Sequence, residues 1–365
     1  MRKLITFFCL NAIFLILFSK ASYALDVSAR SACAIEKSSG QVYFDKNANQ
    51  RMSMASTTKI MTAIVAIESS SLNDTVTITN ESVGIEGSSI YLKEGEILTM
   101  EDLLYALLLE SANDASVAIA IHCAGSVDAF VEMMNSKAKQ LNLSNTHFAN
   151  PHGLDDSNHY TTANDLAKIA SYAMSIPVFS EIVSTYKKVI PLGNDGSRVL
   201  INHNKLLRSY EGTLGVKTGF THKSGRCLVS CAERDGTSLI CVTLSAPNDW
   251  NDHKAILDYG FSIYNTIKLA DAGDYTLDIP IINGKKSSIL CSNLDSLSVT
   301  VKGEANISAN FEVNQMLCAP IKQGDYVGKI VFKNNDKEIA SLKLYALENV
   351  KNINYKKSFI ERIFG

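Results

Sequence analysis

The sequence predicts a mixed α/β chain of the α+β kind: one antiparallel sheet with helices on its faces, followed by a small all-β domain. Strand-like runs lie at both ends of residues 25–268 and helical periodicity fills the middle, so strands from the two ends should meet in one sheet. From Gly273 the chain changes to short β-rich segments separated by turn residues. Its 365 residues, 46% hydrophobic and 20% charged, suffice for one large core and one small one. A net charge of −2 gives no reason to expect nucleic acid as a partner.

Taken in order, Arg2 and Lys3 precede an apolar run from Leu4 to Phe18 and then Ser22-Tyr23-Ala24. A charged start, an apolar stretch and a small-x-small site read as a secretory signal peptide over residues 1–24, cut after Ala24. The alternative is an uncleaved anchor, for which the run is short. Ser31–Glu36 and Gln41–Phe44 flank Lys37-Ser38-Ser39-Gly40 and read as a hairpin. Ile60, Met61, Ile64, Val65 and Ile67 then carry the period of a buried helix of about three turns. Thr75 to Thr79 alternates like a strand, and residues 82–99, rich in Gly, Ser and Glu, read as a loop-rich excursion.

Met100 opens an apolar helix that stops at Glu110-Ser111-Ala112-Asn113-Asp114, and a second helix is expected from Ala115 to Ala124. Ser, Asn and Asp between two apolar helices suit a connecting turn as well as a functional element. Val127 to Leu141 reads as an amphipathic helix, Asn150–Asp156 as a turn-rich loop, and Thr162 as the N-cap of a helix over Ala163–Met174. His152 and His159 fall in that loop and read as solvated or hydrogen-bonded histidines rather than ligands or catalysts. Strands over Arg226–Ala232 and Ser238–Ser245, turned by Arg234-Asp235-Gly236, precede a helix expected over Asp252–Ile267. The all-β domain is expected over 272–350, with strands near Tyr275–Leu277, Leu297–Val301, Tyr326–Phe332 and Ile339–Leu344. In the tail over 351–365, Phe359, Ile360, Ile363 and Phe364 share one helical face among basic residues, a pattern that fits either a membrane interface or a frayed polar end.

Of eight cysteines, Cys9 would leave with the leader; the remaining seven sit mostly in apolar contexts and read as buried free thiols, a Cys291–Cys318 bridge being the one alternative. No pair has metal-ligand spacing with a histidine at hand, so zinc is not expected; no metal or other cofactor is assigned.

Chemistry gathers in three places. Ser56-Thr57-Thr58-Lys59 puts a hydroxyl and an amine three residues apart, on one face of a helix start, where free backbone N–H groups favour developing negative charge. A lysine whose pKa is lowered can take the serine proton, although Ser56 could equally be an N-cap. Ser111-x-Asn113 and Lys217-Thr218-Gly219 follow in order. Ser-x-x-Lys, Ser-x-Asn and Lys-Thr-Gly together are the signature of penicillin-binding proteins and related β-lactamases. With the flanks Asn150-Pro151-His152-Gly153-Leu154 and Gly215–Thr221, the chain resembles the D-alanyl-D-alanine carboxypeptidases among the low-molecular-mass penicillin-binding proteins.

The resemblance implies a β-lactamase/transpeptidase-like catalytic domain over 25–268 and an exported enzyme at the outer face of the cytoplasmic membrane or in the wall. Its substrate would be the peptidoglycan stem peptide, with β-lactams as covalent inhibitors and peripheral membrane contact through 355–365. It also implies roles. Ser56 would attack the carbonyl between the last two D-alanines, Lys59 would take its proton, and Lys217 would help keep Lys59 neutral. Ser111 would relay a proton to the leaving amine, and Asn113 would bind the substrate amide. Lys217 and Thr218 would hold the terminal carboxylate, with Gly219 clearing the strand edge. The backbone N–H groups of Ser56 and Phe220 would form the oxyanion hole, where losing a donor typically costs on the order of 3 kcal/mol of barrier.

Lys217 and Thr218, being consecutive, should point to opposite faces of a strand, so both can serve only at a sheet edge. Where some relatives carry an arginine near the substrate carboxylate, this chain has Asn251-Asp252-His253-Lys254, which shifts the expected load to Lys217. The competing readings are a D,D-endopeptidase, a β-lactamase using Asp155 or Asp156 to activate water, and a non-catalytic wall-binding protein.

Overall fold

The computed structural model describes residues 25–192 and 196–353. The expected leader over 1–24 and the amphipathic face over 355–365 lie outside the described residues. Strands β1 (Ser31–Glu36) and β2 (Val42–Lys46) form the expected antiparallel hairpin. A 3₁₀ turn over Ala55–Thr58 leads into helix α1 (Lys59–Ser69), buried from Lys59 through Ala66. The excursion over 82–99 ends in structure: β3 (Thr75–Thr77) pairs with β4 (Ile97–Thr99). Helices α2 (Met100–Leu109), α3 (Asn113–Ala124), α4 (Val127–Gln140) and α5 (Ala163–Ala173) follow. Their starts obey capping chemistry: Thr99 forms a reciprocal box with Asp102, and Thr162 Oγ1 accepts from Asp165 N at 3.0 Å, as expected.

The stretch 175–211, for which the sequence suggested no element, holds α6 (Pro177–Ser184), the hairpin β5 (Lys187–Pro191) with β6 (Ser197–Ile201), and the short α7 (Leu206–Ser209). The chain then lays down β7 (Thr213–Thr221), β8 (Gly225–Arg234) and β9 (Thr237–Leu244), and α8 (Asp249–Ile263).

These strands join the N-terminal hairpin in one antiparallel sheet of order β2-β1-β9-β8-β7. Alternation explains how it is covered. Cys33, Ile35, Ile240, Val242 and Leu244 pack into the large helical core, while Ala32, Ala34, Leu239 and Cys241 face a second core with Ile256 and Leu257 of α8. With both faces covered, β9 is buried at every position.

The helix expected over Asp252–Ile267 is corrected at both ends. It begins at Asp249 and stops at Ile263, and Tyr264–Ala270 is strand β10 instead. That segment is rich in β-favouring residues and finds a partner in Leu297–Lys302, where Thr266 and Thr300 share a hydroxyl bond of 3.0 Å. The rest is all β: a six-stranded sheet packs Ile279, Ile289, Cys291, Ile330, Phe332 and Leu344 into its own core. All seven described cysteines are free, Cys291 buried and Cys318 exposed, so the alternative bridge between them is not formed.

Candidate active site

Ser56 lies inside the 3₁₀ turn, and no side chain caps that turn or α1, so the N-cap reading of Ser56 is set aside. Thr57 and Thr58 fold their hydroxyls back onto the carbonyls of Met54 (2.6 Å) and Ala55 (2.7 Å), which tightens the turn. One helical turn on, Lys59 is fully buried. Its Nζ lies 2.6 Å from Asn113 Oδ1, 2.6 Å from the His152 carbonyl and 3.1 Å from Ser56 Oγ. The first two partners can only accept. A neutral amine spends its two N–H groups on them and turns its lone pair to the Ser56 hydroxyl. Burial drives the Lys59 pKa well below that of a solvated lysine, the nearby Lys217 lowers it further, and Asp114 opposes. The contacts accommodate a free base on the serine, and burial favours that state.

Ser111 lies in the connection between α2 and α3, as the turn reading has it, and Asn113 opens α3, two residues before the expected start at Ala115. Ser111 adopts a left-handed backbone (φ 62°), is nearly buried, and shares the cleft with Ser56. Asn113 has both ends of its amide engaged: Oδ1 holds Lys59, and Nδ2 donates to the Glu86 carbonyl at 2.5 Å. A Cβ on Gly87 would fall 2.8 Å from that Nδ2, so glycine there (φ +92°) lets the excursion close on Asn113. Asp114, which sequence reasoning left without a role, binds Ser89 Oγ (2.6 Å) and the Leu92 N–H (3.0 Å), fastening the same loop.

Strand β7 is the open edge of the sheet, the condition set for Lys217 and Thr218 to serve together. They do alternate: Lys217 is buried and donates to the Thr218 carbonyl at 3.0 Å, while Thr218 lines the cleft. Burial lowers the Lys217 pKa to about 7 against the pull of Glu110. A Cβ on Gly219 would stand 3.1 Å from the backbone nitrogens of both Ser56 and Thr57, so β7 passes directly beside the turn that carries Ser56. Phe220, next along, is 59% exposed.

The cleft they border has a volume of about 330 Å³ and is also lined by Arg226, Asp249 and Trp250, to which the sequence reading gave no role. Arg226 sits opposite Phe220 in register. Asp249 takes its Nε at 3.0 Å and the Trp250 ring lies 5.7 Å from the guanidinium carbon, which leaves the Nη nitrogens for a ligand. The available signal was an arginine at the start of the strand after Lys-Thr-Gly, visible once the hairpin is closed. His152 and His159 are hydrogen-bonded as expected, but His159 is buried rather than solvated.

Comparison with known proteins agrees with this geometry. Residues 18–248 match the family described as D-alanyl-D-alanine carboxypeptidase, and residues 264–352 match the penicillin-binding protein 5 C-terminal domain. The chain is 32% identical over 357 residues to the Bacillus subtilis D-alanyl-D-alanine carboxypeptidase DacF, covering 95% of this chain and 92% of that one. It is 31% identical over 367 residues to DacC of Escherichia coli, covering 92% and 90%. Among solved structures, penicillin-binding protein 5 from Haemophilus influenzae superposes with a TM-score of 0.68 at 30% identity, covering 90% of this chain and 98% of that one.

Proposed function

This chain belongs to the D-alanyl-D-alanine carboxypeptidase family of serine peptidases, and from that premise we propose how its own residues divide the work. The family's reaction is hydrolysis of a terminal D-Ala-D-Ala bond through an acyl-enzyme, and the fold is that of penicillin-binding proteins. The observation that carries the assignment is the Lys59 amine 3.1 Å from Ser56 Oγ, with its other two bonds fixed by acceptors. Ser56 gives its proton to Lys59 as the oxygen attacks the penultimate D-alanine carbonyl. The Ser56 and Phe220 N–H groups take the oxyanion, and Ser111 passes a proton to the departing amine. Water then cleaves the ester. Asn113 holds Lys59 in place and meets a substrate amide by exchanging the Glu86 carbonyl for it. The test is the intact mass after benzylpenicillin treatment, followed by mapping: one adduct on the peptide carrying Ser56 is expected, persisting for many minutes. Rapid turnover of the drug would favour the β-lactamase reading. Against that reading, Asp155 Oδ1 accepts from Thr221 Oγ1 at the end of β7 (3.0 Å) and Asp156 Oδ1 from the Asn158 N–H (2.7 Å), so each candidate acid already has a hydrogen-bond partner.

The terminal carboxylate is held by Thr218 with Arg226, over the buried Lys217. The two Nη nitrogens of Arg226 form a fork that matches a carboxylate and have no hydrogen-bond partner among the described residues, and Asp249 and Trp250 hold that fork still. Arg226→Leu is therefore expected to raise KM for a D-Ala-D-Ala peptide by about 10-fold, the value of one charge-assisted hydrogen bond, and to lower the melting temperature, because the buried Asp249 carboxylate loses its cationic partner. Steady-state kinetics that show an unaltered KM would return the carboxylate to Lys217 and Thr218 alone.

The division into a catalytic domain over 25–268 and an all-β domain over 272–350 belongs to the same reading, with β10 as the connector. So does export through the 1–24 leader, with the 351–365 tail resting on the outer leaflet and the β-domain acting as a spacer. Deleting residues 351–365 should move the enzyme from the membrane fraction to the soluble fraction with kcat intact. Unchanged partitioning would reject the anchor.

A further inference from the structure

We propose that His159 is a positioning residue for the nucleophile, acting as a neutral imidazole through Thr58 on the carbonyl of Ala55. This deepens the reading of Ser56 as the acylated residue and rests on it.

The hydrogen bonds leave one consistent proton arrangement. The Ala149 N–H can only donate, and it reaches His159 Nδ1 at 3.0 Å, so that nitrogen carries no proton. The Ala55 carbonyl can only accept, and it receives the Thr58 hydroxyl at 2.7 Å. The contact of 2.7 Å between His159 Nε2 and Thr58 Oγ1 must therefore run from Nε2–H to the hydroxyl oxygen. The relay is Ala149 N–H to the ring, the ring to Thr58, and Thr58 to Ala55. Protonation would set a second N–H against that of Ala149. Burial and the neighbouring His152 lower the ring's pKa to about 4, in keeping with this tautomer.

The relay ends on a strained point. Ala55 takes a left-handed backbone (φ 46°) that residues other than glycine seldom adopt, immediately before Ser56. Its carbonyl is met from the other side by the loop: a Cβ on Gly153 would fall 2.1 Å from Ala55 O and 2.9 Å from Thr58 Oγ1. The same loop accepts from Thr62 Oγ1 at Pro151 O (2.6 Å) and from Lys59 at His152 O (2.6 Å). One end of His159 thus rests on the 147–160 loop and the other on the turn that aims both Ser56 Oγ and the Ser56 N–H. Releasing the Ala55 peptide plane would let both drift, and misplacement of about 1 Å in such a site costs on the order of 10²-fold in rate.

The experiment compares wild type, Thr58→Val, His159→Leu, His159→Gln and the Thr58→Val/His159→Leu double variant. The readouts are the acylation rate with benzylpenicillin and kcat and KM for a peptide ending in D-Ala-D-Ala, with near-UV circular dichroism as the folding check. Thr58→Val and His159→Leu should each lower acylation and kcat about 10- to 100-fold with KM little changed. The double variant should be no worse than the poorer single one, because the two act as a unit. His159→Gln, whose amide can both accept and donate, should recover most of the rate. Wild-type acylation in Thr58→Val, additive losses in the double variant, or no rescue by Gln would overturn the relay. If His159→Leu does not fold, Thr58→Val and His159→Gln decide the matter. Failure of wild type to form an adduct on Ser56 would instead reject the nucleophile reading, so the two failures are separable.

Discussion

Replacing Ser56 with Ala is expected to abolish D-alanine release and covalent penicillin labelling together while the protein remains folded. The fold should survive because the substitution removes one hydroxyl from a turn whose other ties remain. Thr57 and Thr58 still close onto Met54 and Ala55, and Lys59 keeps Asn113 and the His152 carbonyl. The stability change should then stay within about 1 kcal/mol, the net worth of one hydrogen bond. The rate has no such reserve. Without an oxygen at that position there is nothing to acylate, and the oxyanion N–H groups and Lys59 have no nucleophile to assist. A loss on the order of 10⁴ to 10⁶ in kcat is expected, as when the nucleophile of a serine protease is removed. Alanine release, intact mass after benzylpenicillin and a thermal melt check all three statements. Labelling retained in the variant would move the nucleophile elsewhere.

Lys59→Arg is the second large effect, and it separates basicity from charge. A guanidinium keeps much of the length but stays charged, because it cannot give up its proton in water. If Lys59 serves as a neutral base, the variant should lose acylation by about 10²- to 10⁴-fold, the usual worth of a general base. The pH dependence carries the sign. Burial lowers the Lys59 pKa, so the free base is present over a range in which a solvated lysine is charged. Wild-type acylation should fall as pH is lowered through that depressed value, because protonation removes the lone pair facing Ser56. In Lys59→Arg this acid limb should vanish, leaving a low, flat rate on the acid side. Acylation by benzylpenicillin measured across pH in both proteins tests the point. An unchanged acid limb in the variant would assign it to another group.

Much of the candidate site was legible because its residues fall in three short segments with regular internal spacing. The three-residue step from Ser56 to Lys59 follows from helical geometry alone, as does the turn at Ser111–Asn113 between two apolar helices. The alternation of Lys217 and Thr218 was equally readable, and it carried its own condition, a sheet edge, which β7 meets. Less legible were contacts made through the backbone. His152 contributes its carbonyl to Lys59, and Gly153 contributes only the absence of a side chain beside Ala55. Neither role leaves a mark in residue chemistry. Arg226 was hidden in another way: its place at the cleft depends on the β7–β8 register and on Asp249 arriving from the next helix. The sequence extends α8 to Ile267, whereas Tyr264–Ala270 pairs as a strand with Leu297–Lys302, a partner distant in the chain.

By itself the sequence determined which groups could react, how they are spaced within each segment, and that strands from the two ends of residues 25–268 would share a sheet. Those are local matters, set by bond geometry, side-chain period and the need to cover apolar faces. Only the tertiary structure decided that Lys59 is buried with a lowered pKa, that its amine meets Ser56 Oγ, and that an arginine from β8 joins the cleft. Charge state depends on burial and on neighbours brought from distant parts of the chain, and no local pattern encodes those.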